Sequence, residues 1–125
     1  MKKLLLIIIS LYGFNSKAQD CKFLKHCKLE YADGNNGVII FNDKSHFEYY
    51  GNKNIYIKSS LEWINDCEYI ATMTAVTLPN FPNKPGDKMR VIFNKIENDF
   101  IYGIATIDNQ KFPVKFKIID KNFKE

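Results

Sequence analysis

Residues Lys111–Ile119 read KFPVKFKII, and their alternation decides the fold class. Phe112, Val114, Phe116 and Ile118 share one face of an extended chain, while Lys111, Pro113, Lys115 and Lys117 share the other. An extended backbone sends successive side chains to opposite sides, so one side is core and the other is water. Lys88–Ile96 repeats the pattern, with Met89, Val91 and Phe93 set against Lys88, Arg90 and Asn94. Proline donates no ladder hydrogen bond, so Pro113 predicts an edge strand or a point where the N–H side is unpaired.

The same period runs back through the chain. Strands are predicted at 27–32, 37–42, 45–50, 55–64, 67–76, 88–96, 100–108 and 111–119. In the fourth, Ile55, Ile57, Leu61 and Trp63 oppose Tyr56, Lys58, Ser60 and Glu62. Turn residues separate the strands: Asp33-Gly34-Asn35-Asn36, Asp43-Lys44, Gly51-Asn52-Lys53-Asn54, Asn65-Asp66, Glu97-Asn98-Asp99 and Asn109-Gln110. No long window shows a helical period. The fold class is therefore all-β, an antiparallel up-and-down meander of about eight strands forming a small lipocalin-like barrel or a strongly curled sheet. One connection is long: Thr77–Asp87 carries Pro79, Pro82, Pro85 and Gly86, and is expected to be stiff and exposed, with apolar Leu78 and Phe81.

The start of the chain has a different character. Met1-Lys2-Lys3, the apolar run Leu4–Ile9 and Ser16-Lys17-Ala18 have the layout of a secretory signal peptide, with cleavage expected after Ala18. That run is too short for a permanent membrane span. A lipid anchor would need a small residue before its cysteine, and Cys21 follows Asp20. Residues 1–18 are read as a signal peptide and 19–125 as one domain, periplasmic or secreted. Cleavage removes Lys2, Lys3 and Lys17, leaving 15 of the 18 Lys plus Arg against 14 Asp plus Glu. With its lysines scattered, the mature chain lacks the basic face that nucleic-acid binding requires.

Three cysteines remain: Cys21, Cys27 and Cys67. With His26 and His46 they show no paired-ligand spacing, so neither metal nor cofactor is expected. Asp66 and Glu68 flank Cys67 and disfavour its thiolate, which argues against a nucleophile. Export favours a disulfide from Cys67 to one of the two N-terminal cysteines. Cys21, on an arm before the first strand, has more freedom to reach it than Cys27, although both pairings remain open on these grounds. A loop of about 47 residues closed this way is worth about 4 kcal/mol in the chain-entropy model.

Cys21-Lys22-Phe23 and the hairpin Trp63 through Cys67-Glu68-Tyr69 resemble features of a group of short exported proteins of flavobacteria, to which no activity is attached. The resemblance covers about residues 20–76 and implies a fold alone. It also implies the Cys21–Cys67 pairing, the pair that group shares; Cys27, within Lys25-His26-Cys27-Lys28-Leu29, stands where the group has glycine.

Catalytic constellations are sparse. His26 and His46 are the candidates for acid–base chemistry near neutral pH. His46 shares a strand face with Glu48, a pair expected to be solvated unless a third polar group converges on it inside a cleft. Ser45, Ser59 and Ser60 lie outside any nucleophile-elbow motif. Glu62 and Glu68 are expected to face each other on the outer rim of a hairpin, and Asp33–Gly37 is a turn rather than a phosphate or calcium loop. No enzymatic activity is expected.

Aromatic residues carry more information: 10 Phe and 7 Tyr. Phe41, Phe47, Tyr49, Tyr50, Tyr56 and Trp63 are expected mainly to fill and cap the barrel. Tyr50, Tyr56, Trp63 and Phe81 are the candidate ligand-binding residues, with Tyr50 and Tyr56 exposed. These features point to an exported, non-enzymatic binding or protective module for a small apolar ligand or a protein partner. The alternative is a secreted inhibitor or interaction protein using the proline-rich loop 77–87.

Overall fold

The structure, a computed structural model, describes residues 20–34 and 36–124; the signal peptide expected at 1–18 lies outside them. A 3-10 helix at Lys22–His26 precedes eight strands: β1 Cys27–Tyr31, β2 Gly37–Phe41, β3 Ser45–Tyr50, β4 Asn52–Asn65, β5 Glu68–Val76, β6 Lys88–Glu97, β7 Phe100–Ile107 and β8 Gln110–Asp120. Each strand pairs antiparallel with the next, and β1 pairs with β8, so the meander closes into a barrel. The closing ladder sets Leu29 opposite Ile118 and Tyr31 opposite Phe116. Closure leaves no free sheet edge.

Pro113 meets the second of its two expectations. It stands opposite Ile104 of β7, while the β1 ladder stops at Tyr31–Phe116, before Pro113 is reached. The last two hairpins each differ by one residue from the sequence reading, the first being tighter and the second shifted toward the N-terminus. Asn98-Asp99 and Asp108-Asn109 form the turns, all four with positive φ, as two-residue hairpin loops with the right twist require.

The two ends of the barrel differ. At one, the 3-10 helix lies below the sheet with Leu24 fully buried. Cys21 is bonded there to Cys67, with Cα atoms 5.2 Å apart, which settles the pairing left open above. Cys21, Cys27, Leu29, Phe41, Val91, Phe93, Ile101, Ala105 and Phe116 belong to one buried core. Gly103 marks a close approach of β7 to a register shift in β6, where an added Cβ would lie 2.4 Å from the Ile92 carbonyl oxygen. The opposite end carries the β1–β2, β3–β4 and β7–β8 turns and the long 77–87 loop. Among the described residues, no helix is long and apolar enough to cross a membrane.

Candidate functional site

Strand β3, SHFEYY, places Phe47 and Tyr49 on one face and His46, Glu48 and Tyr50 on the other. Burial of apolar surface would turn Phe47 and Tyr49 inward. The ladder does the reverse. Ile39 and Phe41 of β2 belong to the core, and they stand opposite Glu48 and His46. His46 is consequently 4% and Glu48 7% exposed, which corrects the expectation of a solvated pair.

Phe47, Tyr49 and Tyr56 lie on the outer wall rather than filling the interior, with ring centroids 5.7 Å (Phe47–Tyr49) and 5.3 Å (Phe47–Tyr56) apart. The Lys58 ammonium sits 5.6 Å from Phe47 and 5.4 Å from Tyr56, and Lys53 sits 5.7 Å from Tyr49. All three rings are half-buried, Tyr56 rather than exposed as expected, and the cations make their outer surface tolerable to water.

Inside, the polar groups converge. The Tyr50 hydroxyl donates to Glu48 Oε2, and the Tyr31 hydroxyl also hydrogen-bonds this carboxyl. Tyr31 stacks on Tyr50 at 6.1 Å and leans on Phe116 at 4.9 Å. The His46 ring meets Phe41 and Tyr69 edge-on at 5.1 and 5.9 Å. Its Nδ1 is buried with no hydrogen-bond partner among the described residues. Leaving such an atom unpaired costs about 1–3 kcal/mol, so a folded chain rarely does so without a use for it.

Burial sets the protonation of the cluster. It drives the His46 imidazole down to about 4, so the ring is neutral at ordinary pH. It raises the Glu48 carboxyl, against which the hydrogen bonds from Tyr50 and Tyr31 hold the ionised form. Tyr31, Tyr50 and Tyr69 are all pushed up, first by burial and then by the Glu48 charge. Cys27, below them in the core, is pushed up to about 12 by burial and then by Asp120, with its Sγ 3.6 Å from the Leu24 carbonyl. It is a packed thiol and no nucleophile.

Two adjoining cavities open beside this cluster, of about 440 and 290 Å³. Tyr31, His46, Glu48, Met89 and Phe112 line both. Ile39, Tyr69, Val91, Val114 and Phe116 extend the larger; Tyr50, Ile57, Ser59, Ala71 and Phe81 extend the smaller. The walls are mainly apolar, and the polar atoms gather at one place.

Of the four candidate ligand-binding residues, Tyr50 and Phe81 line the smaller cavity. Tyr50 is half-buried inside the barrel rather than exposed. Tyr56 is on the outer wall. Trp63 lies toward the other end, its ring 5.2 Å from Tyr69 and its indole N–H donating to the Asp43 carbonyl at 3.0 Å. Sequence reasoning missed Tyr31, Tyr69, Met89 and Phe112 as cavity residues. Only the shared face of His46, Glu48 and Tyr50 was a readable signal.

The 77–87 loop is tied at both ends. Asp87 accepts from the Lys84 amide at 3.0 Å, Gly86 N–H donates to the Met73 carbonyl at 2.8 Å, and Thr77 Oγ1 donates to the Asn54 carbonyl at 2.6 Å. Leu78 and Phe81 are half-buried rather than exposed, and Phe81 faces the cavity.

Elsewhere, Glu62 stands opposite Ile70, and Glu68 pairs with Arg90 and with Asn65 Nδ2, so the two carboxylates do not face each other. Among the described residues, no group of three or more His, Cys, Asp or Glu side chains is placed to hold a metal ion.

The fold and site define a closed eight-stranded antiparallel meander barrel with a mainly apolar pocket near one end, at which a few polar groups converge. No protein-family model, curated protein or solved structure matches the chain.

Proposed function

We propose that this chain is an exported, non-enzymatic binding module, lipocalin-like in its use of the barrel, which holds one small, largely apolar ligand beside Glu48 and His46. The observation that carries this reading is the internal cavity. Its parts, about 440 and 290 Å³, fall in or close to the range of roughly 300–1,000 Å³ common for small-molecule sites, with apolar walls and a few convergent polar groups. Export to the periplasm or beyond is supported by the basic and apolar leader and by the Cys21–Cys67 bond, a linkage that persists in oxidising compartments. Kinship with the short exported flavobacterial proteins belongs to the same proposal.

Phe81 half-buried against the cavity favours a cover for the pocket over a protruding inhibitory loop. His46, Glu48 and the two tyrosines do converge in a cleft, the condition for an acid–base reading. Against that reading, His46 Nδ1 has no orienting partner among the described residues and Glu48 already accepts two tyrosine hydroxyls.

The test is uptake of an uncharged polarity-sensitive dye, N-phenyl-1-naphthylamine, by the disulfide-intact mature protein. Saturable enhancement of its fluorescence is expected, and Ala71→Trp, which fills the smaller cavity, should abolish it. No uptake, or equal uptake by the filled variant, overturns the reading.

A further inference from the structure

The chemistry of the pocket narrows the ligand class, on the premise that the barrel is a ligand carrier. We propose that the pocket takes an organic cation, an amine on an apolar body, with its ammonium received by the Glu48 carboxylate and His46 Nδ1 among the rings of Tyr31, Tyr50 and Tyr69.

The first support is the balance of donors and acceptors. The Tyr50 hydroxyl is spent on Glu48, and the Tyr31 hydroxyl on Glu48 and Tyr50. A carboxylate offers about four lone-pair sites, so two tyrosine donors leave acceptor capacity on Glu48. In the tautomer protonated on Nε2, His46 Nδ1 is a second acceptor, buried and without a partner among the described residues, in a side chain 4% exposed. In that tautomer the site lacks a donor, and an ammonium carries up to three.

The second support is charge. Glu48 is the one buried charge-bearing side chain on the described cavity walls, apart from neutral His46. The other charged wall residues are Asp33, Lys88 and Lys115, all exposed, and Asp87, half-buried. Asp87 holds the loop, and the Lys115 ammonium sits on the rings of Phe100 and Tyr102, at 4.5 and 5.3 Å. A carboxylate ligand would meet Glu48 with no interior base to neutralise either, whereas a cation supplies the missing partner.

The third support is the surrounding rings. Tyr31 and Tyr50, stacked on each other, and Tyr69, edge-on to His46, surround the acid with aromatic rings, and aromatic surroundings favour a desolvated ammonium. Ile39, Val91, Val114 and Phe116 line the larger cavity and suit an apolar body.

Displacement of the bound dye by three probes of equal chain length tests the inference: octylamine, octanol and octanoate. Octylamine should displace the dye at a concentration roughly tenfold or more below octanol, and octanoate should be the weakest. In Glu48→Gln the ratio of amine to alcohol should fall to about one. Octylamine no better than octanol, octanoate as good as either, or dye uptake that octylamine cannot reverse would each overturn the cation inference while leaving the carrier reading standing. Absence of dye uptake removes the carrier reading, and this inference with it. The probe comparison on the unaltered protein decides the matter even if Glu48→Gln fails to fold.

Discussion

The Tyr50 hydroxyl donates a hydrogen bond to Glu48 Oε2, two residues earlier on β3 and on the same inner face. With Tyr31 it supports the ionised form of a carboxyl that burial alone would drive toward the neutral acid. Tyr50→Phe should therefore raise the Glu48 pKa further and cost about 1–3 kcal/mol through the weakened network. Carbon-13 NMR titration of the Glu48 side-chain carboxyl reads the first effect and urea unfolding the second. An unchanged titration would show that this bond does not hold the carboxylate.

His46 gives the acid limb of stability. Its folded value of about 4 lies below the ordinary 6.5, so between these pH values the unfolded chain takes up a proton that the folded chain refuses. Stability from this site is complete above about pH 6.5 and falls toward pH 4, by about 3 kcal/mol in all. Glu48 acts with the opposite sign. Its folded value is raised above 4.5, so its contribution is present below that pH and is lost as pH rises through the folded value. Urea unfolding across this range should show His46→Gln without the acid slope of the parent; matching slopes would count against a buried neutral imidazole.

The disulfide ties the 3-10 helix to the β4–β5 turn over 46 residues of sequence. Replacing both Cys21 and Cys67 by serine should cost about 4 kcal/mol, by the chain-entropy argument. A loss well under 1 kcal/mol would mean that the N-terminal segment is held by Leu24 and its neighbours instead.

Cys27 should resist alkylation in the folded protein, being fully buried with its thiol pushed up to about 12. Intact-mass analysis after iodoacetamide is expected to show no adduct in the native protein and one in the unfolded, non-reduced chain. Rapid native labelling would contradict its place in the core.

Gly103→Ala places a methyl 2.4 Å from the Ile92 carbonyl oxygen and 2.9 Å from a Phe93 ring carbon. Backbone on one side and core on the other cannot both retreat, so a loss of about 1–3 kcal/mol is expected. Thermal unfolding of the variant measures it, and an unchanged midpoint would argue against so close a β6–β7 approach.

Much of the architecture was legible because it is local. Alternation such as KFPVKFKII reports the geometry of an extended backbone, and Asn-Asp or Asp-Asn pairs report a need for positive φ, whatever the rest of the chain does. Strand positions, turn positions and the role of Cys67 followed from such signals. The pocket was harder to read. SHFEYY has two faces, and hydrophobicity favours burying Phe47 and Tyr49; the opposite outcome depends on Ile39 and Phe41 of the neighbouring strand already facing inward.

The sequence by itself determined that this chain is a meander of short strands with a cysteine available to anchor its N-terminal arm. The tertiary structure alone decided that β1 meets β8 and that His46, Glu48 and Tyr50 point into the barrel, and it bears out Cys21 as the partner of Cys67. A period of two tells which side chains travel together. Which set is enclosed is decided by the ladder to the next strand and by closure, and neither is a property of any one segment.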